Sequence, residues 1–412
     1  MNSGQWQVAN GPIIRLTGHW PLIHMSMSTS EEIKTPPPSH AGIPLTSASD
    51  RRSDVEVKQL MMGGLLQEVG CDGLLILEPE NFAWLSSGGA SRGVIDPASQ
   101  PCLYFTPEGR WVLCANVDSQ RLFDEELDGL GFQLKEWPWS WGRAQLLADL
   151  CQGRNVASDQ AILSCKVVAE QLQRRRRMLS EYERACYRAL GQIVSHALEA
   201  TGRTLNVGDS EREIAGQLSH RLLHRGVYPV SLSVAADGRS RRYRQGGFTG
   251  TTVASYCVLT VVGRKYGLTA MASRAVTFGQ ADPVFRKEHD AACRVSATYI
   301  ASSWPDAMPK QIMATGRRVF QIAEAEHDWL LCPQGHITGH AAVELNLTPA
   351  TEELLQAGWA ITWNTTVGAA SSCDTFLITE EGPRSLTPAE NWPLKRIRIQ
   401  GAEFVRPDVL AR

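Results

Sequence analysis

The chain has 412 residues, of which 43% are hydrophobic and 20% are charged, and its formal net charge is -2 at pH 7. This length and apolar content suit two domains with sizeable cores. The near balance of 41 basic and 43 acidic residues gives no basic field, so binding to nucleic acid is not predicted. No apolar run approaches the ~20 residues of a membrane helix, and the N-terminus lacks a signal-peptide layout, so we predict a soluble, cytoplasmic protein without a membrane partner. The ten cysteines are scattered without a Cys-x-x-Cys pair, which predicts reduced thiols in the core.

The first half of the chain divides into a tail and a small domain. Residues 1–53 show little periodicity and contain a Pro-rich stretch, which predicts a flexible tail. A helical pattern at 55–69 is followed by strand patterns at 73–77, 82–85, 102–105 and 111–115. Strands interleaved with helices predict a small α/β domain over residues 54–170.

The second half, from 171 to the C-terminus, predicts an α+β domain. Helical patterns cover 167–200, 211–224, 282–302 and 309–327, and strand patterns cover 232–235 and 256–262 before a final strand block. This order suits helices packed on one side of a curved antiparallel sheet. Four consecutive arginines at 174–177 lie beside glutamates, which favours a solvated helix face or an interdomain contact over a phosphate site.

Two motifs near the C-terminus suggest an active-site framework. The first is Gly335-His336-Ile337-Thr338-Gly339, and the second is Cys373-Asp374-Thr375 followed by a Thr-Glu-Glu-Gly turn that ends at Gly382. The pattern resembles the C-terminal half of the aminopeptidase P, prolidase and creatinase family, and the resemblance covers most of residues 60–390. It implies a creatinase-type N-terminal domain, a pita-bread C-terminal domain and a homodimer.

The carboxylates of the family's metal site are where this sequence departs from the pattern. The active peptidases hold two divalent ions with two aspartates, one histidine and two glutamates, all of them donors suited to such ions. Here His336 is kept, and the other positions carry Thr260 or Val261, Met271, Asn364 and Cys373. Without these carboxylates the charge of two cations is left uncompensated, so we predict no metal and no other cofactor.

Several retained residues are candidates for catalysis without metal. His336 is a candidate general acid or base with Glu344 or Asp374 orienting it, although a histidine that only bonds its own turn fits equally well. His327, between two carboxylates, is a candidate base, but a helix C-terminus also favours a cationic histidine. Cys373 is a candidate thiolate nucleophile, while a small buried thiol is the commoner outcome.

Polar residues around these positions are candidates for substrate binding. The loop at 237–248 carries Arg241, Arg242 and Arg244, whose guanidinium groups can clamp a carboxylate, although a basic surface loop is the plainer interpretation. Creatinase implies that this fold can hydrolyse a carbon-nitrogen bond without metal, but its key histidine lies in the counterpart of this loop, which has none here. Other polar candidates for contacting a substrate are Thr260, Asn364 and His340.

Two functional hypotheses remain. The first is a metal-independent, creatinase-like hydrolase that cleaves a C-N bond of a small amino-acid, amide or amidine derivative. The second is an inactive peptidase-like scaffold that binds a short peptide or a protein partner. A metal-dependent Xaa-Pro peptidase is disfavoured because the carboxylate ligands are missing.

Overall fold

The computed structural model describes residues 48–91 and 94–412. Eleven α-helices lie in this part of the chain: α1 Ala48–Val69, α2 Pro79–Leu85, α3 Ser119–Arg121, α4 Ala144–Cys151, α5 Ala169–Arg176, α6 Glu181–Thr204, α7 Glu211–Leu223, α8 Arg239–Arg242, α9 Pro283–Ala301, α10 Pro309–Ile322 and α11 Glu326–Leu330. None of the described helices is long and apolar enough to cross a membrane. The flexible tail was predicted over residues 1–53, of which 1–47 lie outside the described residues. The remaining six belong to α1, which begins at Ala48.

Seventeen strands are described. They are β1 Gly73–Ile76, β2 Cys102–Phe105, β3 Arg110–Ala115, β4 Gln133–Trp137, β5 Val156–Ser158, β6 Lys166–Val167, β7 Tyr228–Ala236, β8 Tyr256–Lys265, β9 Leu268–Thr277, β10 Gly335–Thr338, β11 Leu345–Asn346, β12 Ala360–Val367, β13 Ala370–Thr379, β14 Gly382–Ser385, β15 Leu394–Ile399, β16 Ala402–Pro407 and β17 Val409–Ala411.

The first six strands form one mixed sheet in the order β4-β3-β2-β1-β5-β6. One hydrophobic cluster lies on the α1 side of this sheet and a second on the α4 side, so both faces are covered, as an α/β arrangement requires. The strand pattern at 82–85 was a wrong prediction, because these residues end helix α2. Pro79 opens that helix, and its fixed φ suits a first helical position.

Two of the long predicted helices are each divided in the structure. The pattern at 167–200 contains α5 and α6, and Ser180 begins α6 with a capping box in which its side chain and that of Glu183 satisfy each other's backbone N-H groups. The pattern at 309–327 ends at Ile322, since Glu324 takes a left-handed φ of 57° before α11 begins. The hydrophobic pattern of each stretch continues, but the helix is interrupted before Ser180 in the first stretch and at Glu324 in the second.

The C-terminal half contains two larger sheets with helices packed on them. Their strand orders are β17-β9-β8-β7 and β11-β10-β12-β13-β14. Helices α6 and α7 bury a core against β7, β8 and β9 that includes Leu198 and Val261. Helix α9 covers the other sheet, where the rings of Tyr299 and Trp363 stack with centroids 4.4 Å apart. The predicted arrangement of helices on antiparallel strands is confirmed.

Side-chain hydrogen bonds join β9 of one sheet to β13 of the other. Thr375 Oγ1 accepts from Met271 N at 2.9 Å and donates to Met271 O at 3.0 Å, and Ser273 Oγ accepts from Cys373 N at 2.9 Å. These contacts hold β9 against β13, so that residues of both sheets contribute to one face.

Candidate functional site at the junction of the two sheets

Strand register decides which residues of β8 and β9 share a face. Thr260 is paired with Ser273, and Val262 with Met271, whereas Val261 is paired with Ala272. Directly paired residues of antiparallel strands project to the same side. Val261 is fully buried in the core beneath α6, so Thr260 is the residue that shares a face with Met271.

The second sheet contributes the remaining positions. Asn364 is paired with Cys373, and His336 with Thr362. Since Thr362 lies two residues from Asn364 on the same strand, these side chains project to one side. We call the five positions Thr260, Met271, His336, Asn364 and Cys373 the cleft face.

The cleft face is electrically neutral. Burial lowers the pKa of His336 to about 4, and no charged neighbour contributes to the shift, so its imidazole is uncharged at pH 7. Burial, aided by Asp374, raises the pKa of the Cys373 thiol well above its usual range, so it is not a thiolate. The other three side chains carry no charge.

A dinuclear metal centre does not fit these residues. Two divalent ions need several anionic oxygen ligands to balance their charge, and the cleft face offers one neutral imidazole and no carboxylate. Among the described residues, no group of three or more His, Cys, Asp or Glu side chains is placed to hold a metal ion.

Asp374 does not orient His336, contrary to the prediction. It follows Cys373 on β13, so its side chain projects to the opposite face, where Arg406 Nη2 donates to it at 2.6 Å and Arg274 Nη1 at 3.0 Å. Thr387 Oγ1 donates a third hydrogen bond at 2.9 Å. Both arginines are buried, so Asp374 is the anion of a structural ion cluster.

Glu344 is also held away from His336. Arg176 of helix α5 binds both of its carboxylate oxygens, at 2.9 and 2.6 Å, and Ala341 N donates to it at 2.9 Å. The side chains of Arg176 and Glu344 are both buried. The predicted pairing of Glu344 with His336 is therefore wrong, because a buried arginine from the run at 174–177 binds the carboxylate.

His340 belongs to a buried network rather than to a substrate site. Its Nε2 donates to Glu183 Oε1 at 2.8 Å, and Lys58 Nζ donates to the same oxygen at 2.7 Å and to Asp54 at 2.6 Å. Burial alone would raise the pKa of Glu183, but Lys58 and His340 reverse this and hold it well below its usual range. The network ties α1 to α6 and to the turn after β10.

The arginine loop is occupied by internal contacts. Arg244 binds Asp328 and the carbonyl of Gly368, and Arg241 binds Glu288. Arg242 is exposed and lies over the ring of Tyr243 at 5.4 Å. Two of the three predicted anion-binding arginines thus already have a carboxylate partner.

His327 is exposed on helix α11, whereas the five positions of the cleft face lie on strands. Its neighbour Asp328 accepts hydrogen bonds from Arg244 and from Gly368 N, the second at 2.9 Å. The predicted histidine-carboxylate pair is replaced by this contact between α11 and the loop that follows β12.

Several residues that shape the site were missed from the sequence. Arg274 and Arg406 carry no local signal of their common partner, because they lie on different strands. Lys58 has one weak signal, since it falls three residues after Val55 and four before Met62, on the buried side of α1. A lysine on an apolar helix face indicates a buried partner.

The comparisons with known proteins agree with this architecture. Residues 185–380 match the model of metallopeptidase family M24. No curated protein sequence matches the chain significantly.

Solved structures with the same fold include peptidases and one protein of a different kind. The prolidase from Pyrococcus horikoshii OT3 has a TM-score of 0.69 at 16% identity, over 82% of this chain and 99% of its own. The dipeptidase PepE from Mycobacterium ulcerans has a TM-score of 0.68 at 16% identity, over 82% and 96%. The N-terminal domain of the FACT complex subunit SPT16 from Cicer arietinum has a TM-score of 0.61 at 11% identity, over 82% and 95%.

Proposed function

Because this chain belongs, through residues 185–380, to metallopeptidase family M24, we propose that it is a non-hydrolytic member which binds a short peptide or a small uncharged ligand on the cleft face. Its family and its prolidase-like fold are those of peptidase hydrolases. The single observation that carries the proposal is the neutrality of the cleft face, since all five positions that hold metal in the resembling family are uncharged here.

The chemistry of the cleft face suits hydrogen bonding to a neutral ligand. Thr260, His336 and Asn364 are partly accessible, and together they present a hydroxyl, a neutral imidazole and a carboxamide. Such groups donate to and accept from peptide amides without a charge that would have to be desolvated. A FACT complex subunit also has this fold, and its name places that domain in a multi-subunit complex, which supports the alternative that this chain binds a protein partner. The homodimer implied by the family resemblance stays a prediction.

The contacts weigh against the metal-independent hydrolase that the sequence also predicts. Within the described residues, neither Glu344 nor Asp374 forms a hydrogen bond or ion pair with His336, and each is bound to arginine instead. A histidine with no orienting partner is a weak general base, and a protonated thiol at Cys373 is a weak nucleophile.

A thermal-shift and product-release experiment tests the proposal. The purified protein is mixed with Xaa-Pro dipeptides, other dipeptides and creatine-like amidines, with and without MnCl2, and the melting temperature and released amine are measured. We expect a peptide to raise the melting temperature as its concentration rises, without product and without dependence on manganese.

Two variants and a matched control sharpen the result. Asn364→Ala and His336→Ala remove groups from the cleft face and are expected to reduce the ligand-induced shift, while His327→Ala removes an exposed histidine elsewhere and is expected to leave it unchanged. Product formation that disappears in His336→Ala would refute the non-hydrolytic role. A ligand shift that is equal in all three variants would show that the ligand binds elsewhere.

A further inference from the structure

A groove of about 290 Å³ lies between the outer surfaces of α6 and α7. These two helices cover the face of the β7–β9 sheet opposite to the cleft face, so the groove is separate from the site described above. Five of its six lining residues are basic or imidazole side chains: His196, Ala200, His220, Arg221, His224 and Arg225.

Helix geometry assembles these side chains. His220 and His224 are four residues apart at the end of α7, and their rings lie nearly parallel with centroids 6.1 Å apart. Arg221 Nη2 donates to Thr204 Oγ1 at 3.0 Å, which ties α7 to α6. The C-terminal end of a helix attracts cations, which accounts for the residues of α7, but His196 lies in the middle of α6 and gains nothing from that effect.

The positive charge of the groove is poorly compensated. Burial lowers the pKa of His196, and Arg225, Arg203 and Arg221 lower it further, whereas Glu390 is the carboxylate that opposes them. Among the described residues, neither Arg221 nor Arg225 forms an ion pair with a carboxylate.

Several other arginines of this chain have a carboxylate partner. Arg176 is bound to Glu344, Arg239 to Glu211 and Arg244 to Asp328, each within the fold. Even Arg203 at the edge of the groove has Glu199 at 3.9 Å. The guanidinium groups of Arg221 and Arg225 therefore retain most of their capacity to bind an external anion.

We propose that this groove binds a small multivalent oxyanion of the phosphate-ester class between Arg221, Arg225 and the three histidines. Guanidinium groups bind such oxyanions in a bidentate manner, and the imidazole rings add N-H donors. The volume is at the small end of the ~300–1,000 Å³ typical of ligand pockets, which suits a phosphoryl group with a short substituent rather than a polymer.

Isothermal titration calorimetry on the full chain tests the proposal with inorganic pyrophosphate at pH 6.0. The test variant is Arg221→Gln combined with Arg225→Gln, and the matched control is Arg212→Gln, which removes an exposed arginine at the other end of α7. We expect the double variant to bind at least about tenfold more weakly, since it removes both guanidinium groups that donate charged hydrogen bonds to the anion. The control is expected to bind as the unchanged protein does.

His220→Ala combined with His224→Ala removes two imidazole donors from the groove and is expected to weaken pyrophosphate binding by a smaller factor than the arginine double variant does. Equal affinity of the arginine double variant and the control for pyrophosphate would overturn the proposal. Citrate at matched charge separates a phosphate-ester site from a general anion site, and citrate binding as tight as pyrophosphate would overturn the assigned ligand class. Because the groove and the cleft face lie on opposite sides of the sheet, either proposal can fail while the other stands.

Discussion

The buried network around Lys58 predicts a large loss of stability when its cation is removed. Lys58 Nζ lies 2.6 Å from Asp54 and 2.7 Å from Glu183, and all three side chains are at most 4% exposed. Lys58→Met leaves two buried carboxylates without their common cation, and breaking a buried ion pair in this way costs about 3–5 kcal/mol. We expect a loss of that size in the free energy of unfolding.

The measurement is urea denaturation at pH 7, followed by far-UV circular dichroism and tryptophan fluorescence. Arg52→Gln is the matched control, because Arg52 also lies on α1 and its partner Glu56 is 3.8 Å away, but both side chains are about half exposed. An exposed pair of this kind contributes at most ~0.5 kcal/mol. A decrease of less than about 1 kcal/mol in the free energy of unfolding of Lys58→Met would show that the network does not act as a buried structural link.

Three further predictions concern close packing, pH and metal. Gly191→Ala is expected to destabilise the protein by more than about 2 kcal/mol, since the added Cβ would lie 1.7 Å from Leu386 O. Gly216→Ala is the control, because a Cβ there meets open space, and it is expected to stabilise the protein by ~0.5–1 kcal/mol. Urea denaturation measures both changes in the free energy of unfolding. The pKa of His336 is about 6.5 in the unfolded chain and about 4 in the folded protein. Because the unfolded chain binds the proton more tightly, the free energy of unfolding is expected to decrease by up to about 3 kcal/mol as the pH falls from 6.5 to 4. Denaturation experiments across that pH range should show a flatter profile for His336→Gln. A variant with carboxylates at the cleft face combines Thr260→Asp, Met271→Asp, Asn364→Glu and Cys373→Glu. Manganese is expected to raise the melting temperature of this variant and not that of the unchanged protein. Stabilisation of the unchanged protein by manganese would contradict the neutral cleft face.

The fold class could be predicted from the sequence. Hydrophobic period and turn residues are local properties, so β2 at Cys102–Phe105 was predicted at its observed bounds, and α1 and α7 to within a few residues at their C-terminal ends. The motif at 335–339 is a local pattern of glycines and a histidine, so it can be identified without knowing which residues contact it in the fold. The residues at the positions that resemble the family's ligands can also be read without coordinates, and the inference that they hold no metal stays a prediction.

The tertiary structure decided which side chains meet. Thr260 rather than Val261 faces the cleft because the register of β8 on β9 turns alternate residues to opposite faces. Glu344 and Asp374 were predicted to assist His336, yet Arg176 and Arg406 bind them. Arg176 lies 168 residues from Glu344, and Arg406 lies 32 residues from Asp374. The partner that a buried carboxylate binds depends on which charged group the folded chain brings within hydrogen-bonding distance, and no local pattern of residues encodes that distance.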